Sequence, residues 1–143
     1  MTDDQITEII IGCAYEVHNT LGSGFLEKVY ENALRKEITK KGLKVLQQAD
    51  INVWYDGEIV GKYATDLLVE DRIIVELKAN QSLARENEIQ LVHYLTATNI
   101  KNGLLINFGS PSVQVRRKYR DYKPSSKPVI DPVNPEENLV NPV

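Results

Sequence analysis

The stretch TDLLVEDRIIVELKA, residues 65–79, predicts two antiparallel strands joined by a tight turn, because Val, Ile and Leu dominate it. A turn centred on Asp71 places Asp66 directly opposite Glu76. Side chains alternate across a strand, so Asp66, Glu76 and Lys78 share one face. The opposite face is entirely apolar and predicts a core surface. The question is why a chain that could bury both strands places two carboxylates and an ammonium on them.

Two carboxylates on directly opposite residues of a hairpin repel each other unless a cation neutralises them. Carboxylate oxygens are the ligands that Mg²⁺ and Mn²⁺ prefer. Such an ion polarises a phosphoryl oxygen and lowers the pKa of a bound water, and a neighbouring lysine can stabilise charge that develops on a phosphate. These groups together would suit a phosphodiester-cleaving site, and their placement in an otherwise apolar hairpin favours it, although the short and common pattern taken alone favours a plainer explanation. Ordinary exposed cross-strand pairs would also explain these three charged residues if they stood alone.

Helical periodicity predicts two helices before these strands and one after them. The first helix begins with a capping box formed by Thr2 and Gln5. The apolar stripe of the second helix, FLEKVYENALRKEITKKGL, comprises Leu26, Val29, Tyr30, Ala33, Leu34 and Ile38. The third helix, SLARENEIQLVHYLTATN, is expected to turn four residues inward: Ile89, Val92, Leu95 and Thr96.

The strands complete a mixed α/β domain. The hairpin signal DG at 56–57 joins strands near 44–55 and 58–69, and a third strand follows near 72–79. KNGLLINFG predicts a short buried strand and SVQVRRKY a last amphipathic one. The order α-α-β-β-β-α-β, with this possible extra strand, predicts one domain over 1–122, with a central mixed sheet flanked by helices. The Pro- and Asn-rich remainder predicts a flexible tail.

Composition limits the class of protein. The chain has 143 residues, a formal net charge of −3 and one cysteine, Cys13. This charge argues against nucleic-acid binding through bulk positive charge. The single cysteine excludes an intramolecular disulfide, and no signal peptide or membrane-spanning stretch is evident, so we expect a cytoplasmic protein.

The densest basic run is a candidate nucleic-acid-binding segment. It contains Arg116, Arg117, Lys118 and Tyr119, and a tyrosine between basic residues can stack on an unpaired base. A solvated chain end explains the same run equally well.

Three motifs in this order resemble the GxxExxY proteins of the PD-(D/E)xK nuclease superfamily. They are EVHNTLGSGFLEKVYENAL, DLLVEDRIIVELKA and EIQLVHYLTATNIKNGLLINFG, and the resemblance runs from about Ile6 to Gly109. It implies a metal-dependent phosphodiesterase site. In that site Asp66 and Glu76 bind Mg²⁺ or Mn²⁺, Glu27 supports the metal, and Lys78 is the catalytic lysine.

The resemblance also assigns roles on the third helix. Gln90 and Tyr94 match a Q-x-x-x-Y element that positions substrate or the active-site lysine. His18 also belongs to the family pattern, with packing or capping as probable a role as chemistry. The sequence departs from the pattern at Ala64, where the family has arginine, and at Asn87, where it has histidine.

The sequence therefore predicts a metal-dependent nuclease that hydrolyses phosphodiester bonds of DNA or RNA and that could act as a homodimer. The alternative is a non-catalytic module of the same fold that engages a protein or nucleic-acid partner. A carbohydrate hydrolase using Asp66 and Glu76 explains less, because it gives no role to Lys78.

Overall fold

The computed structural model describes residues 1–120, and its elements follow the predicted order with one further strand. They are α1 (Asp3–Leu21), α2 (Glu27–Lys40), β1 (Val45–Tyr55), β2 (Glu58–Val69), β3 (Ile73–Lys78), α3 (Arg85–Thr98), β4 (Asn102–Asn107) and β5 (Gln114–Tyr119). The first three strands agree with their predicted spans to within one residue at each end. The predicted tail, 123–143, lies outside the described residues.

The five strands form one mixed sheet in the order β1-β2-β3-β4-β5. Neighbouring strands are antiparallel except β3 and β4, which are parallel and are connected through α3. A parallel pair needs such a crossover, because a tight turn can only join antiparallel strands. The predicted mixed α/β architecture is thus confirmed. No helix within residues 1–120 is long and apolar enough to cross a membrane.

Each face of the sheet is covered by its own hydrophobic core. Leu67, Val75 and Leu77 pack with α1 and α2, whereas Leu68 and Ile74 pack with α3. The alternation of side chains along β2 and β3 produces this division. The face predicted to be wholly apolar is confirmed as the larger core.

The buried face of α2 agrees only in part with its predicted stripe. Tyr30, Leu34 and Ile38 are fully buried, but Leu26 is 82% exposed and Val29 is also exposed. Leu26 is the N-cap residue with an extended backbone, so the helical periodicity does not yet apply to it. The N-terminal end of α2 therefore presents apolar side chains to solvent.

The predicted inward face of α3 is confirmed for Leu95 and wrong for the other three residues. Ile89 is exposed, and Val92 and Thr96 are only half-buried. The buried residues are Leu91, Tyr94, Leu95, Ala97 and Thr98. Apolar residues occur all around this helix, so the periodicity does not define a single stripe, and packing on the sheet selects the face.

Tyr30 fixes the start of α2. Its hydroxyl donates to the Gly22 carbonyl at 2.5 Å and accepts from the Phe25 amide at 3.2 Å. Its ring stacks on Phe108, with ring centroids 4.7 Å apart and planes 8° from parallel. These contacts anchor the turn between α1 and α2, and thereby the position of Glu27 at the first residue of α2.

Candidate active site

The strands β2 and β3 part at the two central carboxylates. Their antiparallel pairing follows the predicted register and ends at Leu67 and Val75. Beyond that pair, the Leu77 amide donates to Asp66 Oδ2 at 2.7 Å, and the Asp66 amide donates to Glu76 Oε2 at 3.0 Å. Carboxylate oxygens thus take the place of carbonyl acceptors in the ladder. This exchange brings Asp66 and Glu76 together.

Glu76 is the more buried of the two carboxylates, at 7% exposure. The Thr65 hydroxyl donates to its Oε2 at 2.5 Å. Burial and, to a smaller extent, the nearby charge of Asp66 together raise the pKa of Glu76 to about 7, against the lowering effect of its hydrogen bonds. Glu76 is therefore held where its charged form is poorly solvated.

Asp66 is half-buried and is held by contacts from two strands. Burial raises the pKa of Asp66, while the hydrogen bond from the Leu77 amide lowers it. Gln48 of β1 lies between two residues that pair with the neighbours of Asp66, and its Nε2 donates to Asp66 Oδ1 at 3.2 Å. Gln48 has a φ of 50°, a left-handed backbone that residues other than glycine rarely adopt. Such backbone strain is most often found at functional sites.

A second buried acid, Glu31, supports this arrangement from α2. It is 3% exposed and accepts hydrogen bonds from Lys28 Nζ at 3.0 Å, Gln47 Nε2 at 2.7 Å and Gln48 Nε2 at 3.1 Å. Gln48 thus connects Glu31 to Asp66. The sequence interpretation missed Glu31 and Gln48. The available signal was that Glu31 follows Glu27 by one helical turn and so shares its face.

Lys78, the last residue of β3, adds a positive charge to the site. Its positive charge lowers the pKa of Glu27, Asp66 and Glu76, in each case against the larger effect of burial. The pKa of Glu27 is raised by partial burial of its carboxylate and also by the charges of Asp66 and Glu31. The predicted residues of α2, β2 and β3 therefore surround one site. Within residues 1–120, however, no group of three or more acidic, histidine or cysteine side chains is close enough to hold a metal ion.

Tyr94 adds a phenol to the same site. It is 8% exposed, and burial raises its pKa to about 12, with Glu76, Tyr63 and Asp66 contributing further. Its hydroxyl therefore stays protonated at neutral pH and can donate a hydrogen bond. Gln90, one turn earlier, is exposed and lines a cavity together with Tyr94.

The basic run Arg116–Tyr119 forms β5, the edge strand. Arg117 pairs with Asp4 of α1 at 2.8 Å, and Lys118 pairs with Glu88 of α3 at 3.1 Å. Acidic side chains thus already compensate two of its three positive charges.

The two remaining residues of this run are exposed. Arg116 is opposite Leu105, which is opposite Glu76, so Arg116 lies two strands from Glu76 on the same face of the sheet. Tyr119 is 59% exposed and lies under the guanidinium of Arg117, which is 5.2 Å from its ring centroid.

His18 and Asn87 have structural contacts. His18 is buried, its Nε2 is 3.0 Å from the Ser110 carbonyl, and its ring packs near Phe108. Asn87 Oδ1 accepts a hydrogen bond from the Ala84 amide at 3.1 Å and so caps α3. His18 anchors the segment after β4 to α1, as the packing alternative predicts.

Comparison with known proteins identifies the fold and the family. Residues 4–118 match the PD-(D/E)XK nuclease superfamily, so the match extends beyond Gly109 and includes most of β5. The crystal structure of SSO0001 is similar at 15% identity with a TM-score of 0.51, over 85% of this chain and 61% of that one. An alkaline exonuclease from Laribacter hongkongensis, LHK-Exo, is similar at 15% identity with a TM-score of 0.50, over 85% of this chain and 73% of that one.

At 15% identity these two likenesses show the fold alone. This chain spans less than two thirds of the length of SSO0001, and no curated protein matches it. The superfamily match covers well over half of the sequence and includes the residues of the charged site. The chain belongs to the PD-(D/E)XK nuclease superfamily.

Proposed function

We propose that this protein is a metal-dependent nuclease of the GxxExxY type that hydrolyses phosphodiester bonds of DNA or RNA. The observation that carries the proposal is the carboxylate pair: the Asp66 amide donates to Glu76 and the Leu77 amide donates to Asp66, on β2 and on β3, which ends at Lys78. A structural ion pair would need one of these carboxylates, whereas a phosphate-cleaving site uses several carboxylates and a cationic donor together. Membership of the nuclease superfamily supports the same reading.

The donor set fits a hard divalent cation. Asp66 and Glu76 would hold Mg²⁺ or Mn²⁺ as a pair of carboxylates, and Glu27 of α2, which does not complete a three-ligand group with them in this structure, would support the ion from further away. Burial raises the pKa of all three groups, so a bound cation would offset the unfavourable burial of their charges. When bound, the metal supplies a Lewis acid for a phosphoryl oxygen and lowers the pKa of a coordinated water.

The chain's own residues would position the reacting groups. The Leu77 amide and Gln48 orient Asp66, and the Thr65 hydroxyl orients Glu76. In hydrolysis a water oxygen forms a bond to phosphorus while one P–O ester bond breaks, and negative charge increases on the phosphate. The Lys78 ammonium is placed to stabilise that charge.

Tyr94 would act as a neutral hydrogen-bond donor to the substrate. Its high pKa keeps the phenolic proton at neutral pH, even beside two carboxylates. A neutral donor can approach an anionic phosphate without adding charge to the site. This role agrees with the one that the Q-x-x-x-Y resemblance implies.

The test combines metal binding with cleavage. Calorimetric titration of Mn²⁺ and an assay on labelled single- and double-stranded DNA and RNA would compare wild type with Glu76→Gln and Lys78→Gln. We expect Glu76→Gln to lose both binding and cleavage. Lys78→Gln should retain binding and lose cleavage by about 10²-fold or more, the size of effect of removing one transition-state donor. Glu58→Gln, an exposed carboxylate at the start of β2, is the control for removing one charge.

Absence of Mn²⁺ binding by the wild type would overturn the proposal. The non-catalytic module would then become the better account. Two observations would favour it: the missing three-ligand group within residues 1–120, and the ion pairs that already compensate Arg117 and Lys118. Nucleic acid as the substrate, the homodimer and the cytoplasmic location stay predictions.

A further inference from the structure

A cavity of about 490 Å³ adjoins the charged site, between α3 and the hairpin of β1 and β2. Val53 and Tyr63 line it from the hairpin, and Gln90, His93 and Tyr94 line it from α3. Its volume falls within the range of small-molecule sites. Tyr63 lies two residues before Thr65 in β2, and the Thr65 hydroxyl donates to Glu76, so a ligand in the cavity would lie close to the carboxylates.

Two tyrosine rings form the aromatic wall of the cavity. The ring centroids of Tyr63 and Tyr94 are 5.7 Å apart, and their planes are tilted by 41°. Tyr63 is 51% exposed, so one part of its ring is open to a ligand. A Cβ added at Gly61 would come within 3.2 Å of the Tyr63 ring, so glycine at this position leaves room for the ring to lie over the strand. The absence of a side chain at Gly61 therefore allows this position of the Tyr63 ring.

The rim of the cavity is polar. The Gln90 amide both donates and accepts hydrogen bonds, and the exposed His93 imidazole can do the same. An aromatic wall with such a rim suits a flat heterocycle that presents hydrogen-bonding groups at its edge. A nucleobase has this chemistry, and base stacking on tyrosine is tolerant of sequence.

A second depression, which contains basic residues, lies between α3 and β5. It has a volume of about 230 Å³, shares His93 with the aromatic cavity, and includes Arg85 and Lys118. Lys118 pairs with Glu88, but Arg85 has no ion-pair partner among residues 1–120. An anionic backbone that passes the aromatic cavity would meet this free guanidinium.

We propose that the cavity binds an unpaired nucleobase next to the phosphate being cleaved, so that the substrate is single-stranded. The inference rests on the proposed nuclease function, because the charged site determines where the phosphate lies. A base within a duplex has both of its faces stacked on neighbours and cannot stack on Tyr63 without leaving the helix. Single-stranded substrate presents its bases without that cost.

Binding to oligonucleotides tests this inference separately from catalysis. Fluorescence anisotropy would follow a labelled oligonucleotide of about ten nucleotides, single-stranded or as a blunt duplex, in EDTA so that no cleavage occurs. The variants are Tyr63→Leu, which removes the ring, and Tyr63→Phe, which keeps it. Tyr55→Leu is the matched control, because Tyr55 is an exposed tyrosine of the same hairpin that does not line the cavity. Thermal unfolding of each variant would verify that it is folded.

We expect the wild type to bind the single strand more tightly than the duplex. Tyr63→Leu should weaken single-strand binding about tenfold, within the range measured for one stacked base, while Tyr63→Phe and Tyr55→Leu should bind as the wild type does. Equal affinity for both substrates, or equal loss in Tyr63→Leu and Tyr55→Leu, would overturn the inference. Binding that depends on Tyr63 without any cleavage in Mn²⁺ would support the inference and contradict the nuclease function. If Tyr63→Leu cleaves nucleic acid as well as the wild type does, the nuclease function is supported and the inference about the cavity is contradicted.

Discussion

Substitution of Glu76 by glutamine tests how burial acts on the carboxylate near the end of β3. In the wild type, Glu76 Oε2 accepts hydrogen bonds from the Thr65 hydroxyl and the Asp66 amide. The glutamine carbonyl oxygen can accept both, so Glu76→Gln removes the charge and preserves the acceptor. The two proteins should therefore differ mainly in how their stability depends on pH.

The size of the effect on stability follows from the difference between the pKa of Glu76 in the folded state and its pKa in the unfolded state. The pKa of Glu76 is about 7 in the folded protein, against an ordinary value of 4.5. One unit of pKa corresponds to about 1.4 kcal/mol, so the difference corresponds to about 3 kcal/mol. Because the folded state holds the proton more tightly, this stabilisation is fully present below pH 4.5 and is lost as the pH rises through 7.

Urea denaturation in EDTA at about pH 5 and about pH 8 would measure the effect. The free energy of unfolding of Glu76→Gln minus that of the wild type should increase by about 2 kcal/mol or more between these two conditions. Taking this difference cancels the titration of the other groups. Glu58→Gln is the control and should show no such increase. Parallel pH dependence of the wild type and Glu76→Gln would refute the reasoning that burial keeps Glu76 protonated.

Mn²⁺ should make the wild type more stable than Glu76→Gln, which is the opposite of the order expected in EDTA. At about pH 8, saturating Mn²⁺ should stabilise the wild type, because it binds the charged form of Glu76 that folding otherwise disfavours. Glu76→Gln should gain much less. The same denaturation curves recorded with Mn²⁺ in place of EDTA would show this, and equal stabilisation of both proteins would mean that the ion binds elsewhere.

Two further substitutions test residues that support the site, rather than the carboxylates themselves. Tyr30→Phe removes the hydroxyl that contacts Gly22 and Phe25. We expect the free energy of unfolding, measured with urea, to fall by about 1–3 kcal/mol. A loss below about 0.5 kcal/mol would contradict a role of Tyr30 in fixing this turn. Gln48→Gly suits the left-handed backbone but removes the side-chain amide that holds Asp66. The free energy of unfolding should therefore change by less than about 1 kcal/mol, while the affinity for Mn²⁺, measured by calorimetry, falls several-fold. Unchanged affinity would show that the Gln48 amide does not position Asp66.

The strands and their register were predictable from local signals. The Asp56-Gly57 turn and the short turn at Asp71 fix the two hairpins, and the predicted register is observed as far as Leu67 and Val75, the residues next to Asp66 and Glu76. Each of these inferences needs only neighbouring residues. The chemistry expected of Asp66, Glu76 and Lys78 was inferred from their residue types and that of Glu27 from the family resemblance, and the fold tests neither.

The supporting residues could not be predicted in the same way. Glu31 reaches the site only because α2 packs against β1, a contact between distant parts of the chain. The left-handed conformation of Gln48 has no sequence signal, since glutamine is not a residue that favours it. The orientation of α3 likewise depends on packing, so the cavity wall containing Tyr94 and the exposed Ile89 followed only from the structure.

The interruption of the ladder at Asp66 and Glu76 has a consequence for how this sequence evolves. Two backbone amides there depend on carboxylate acceptors, and burial opposes the charge on both side chains. Uncharged substitutions at Glu76 should make the metal-free fold more stable, so random drift towards stability would remove the charge. A lineage that no longer needed the site would lose these carboxylates early. The carboxylate pair and the left-handed backbone of Gln48 are thus features that the stability of the metal-free fold does not require.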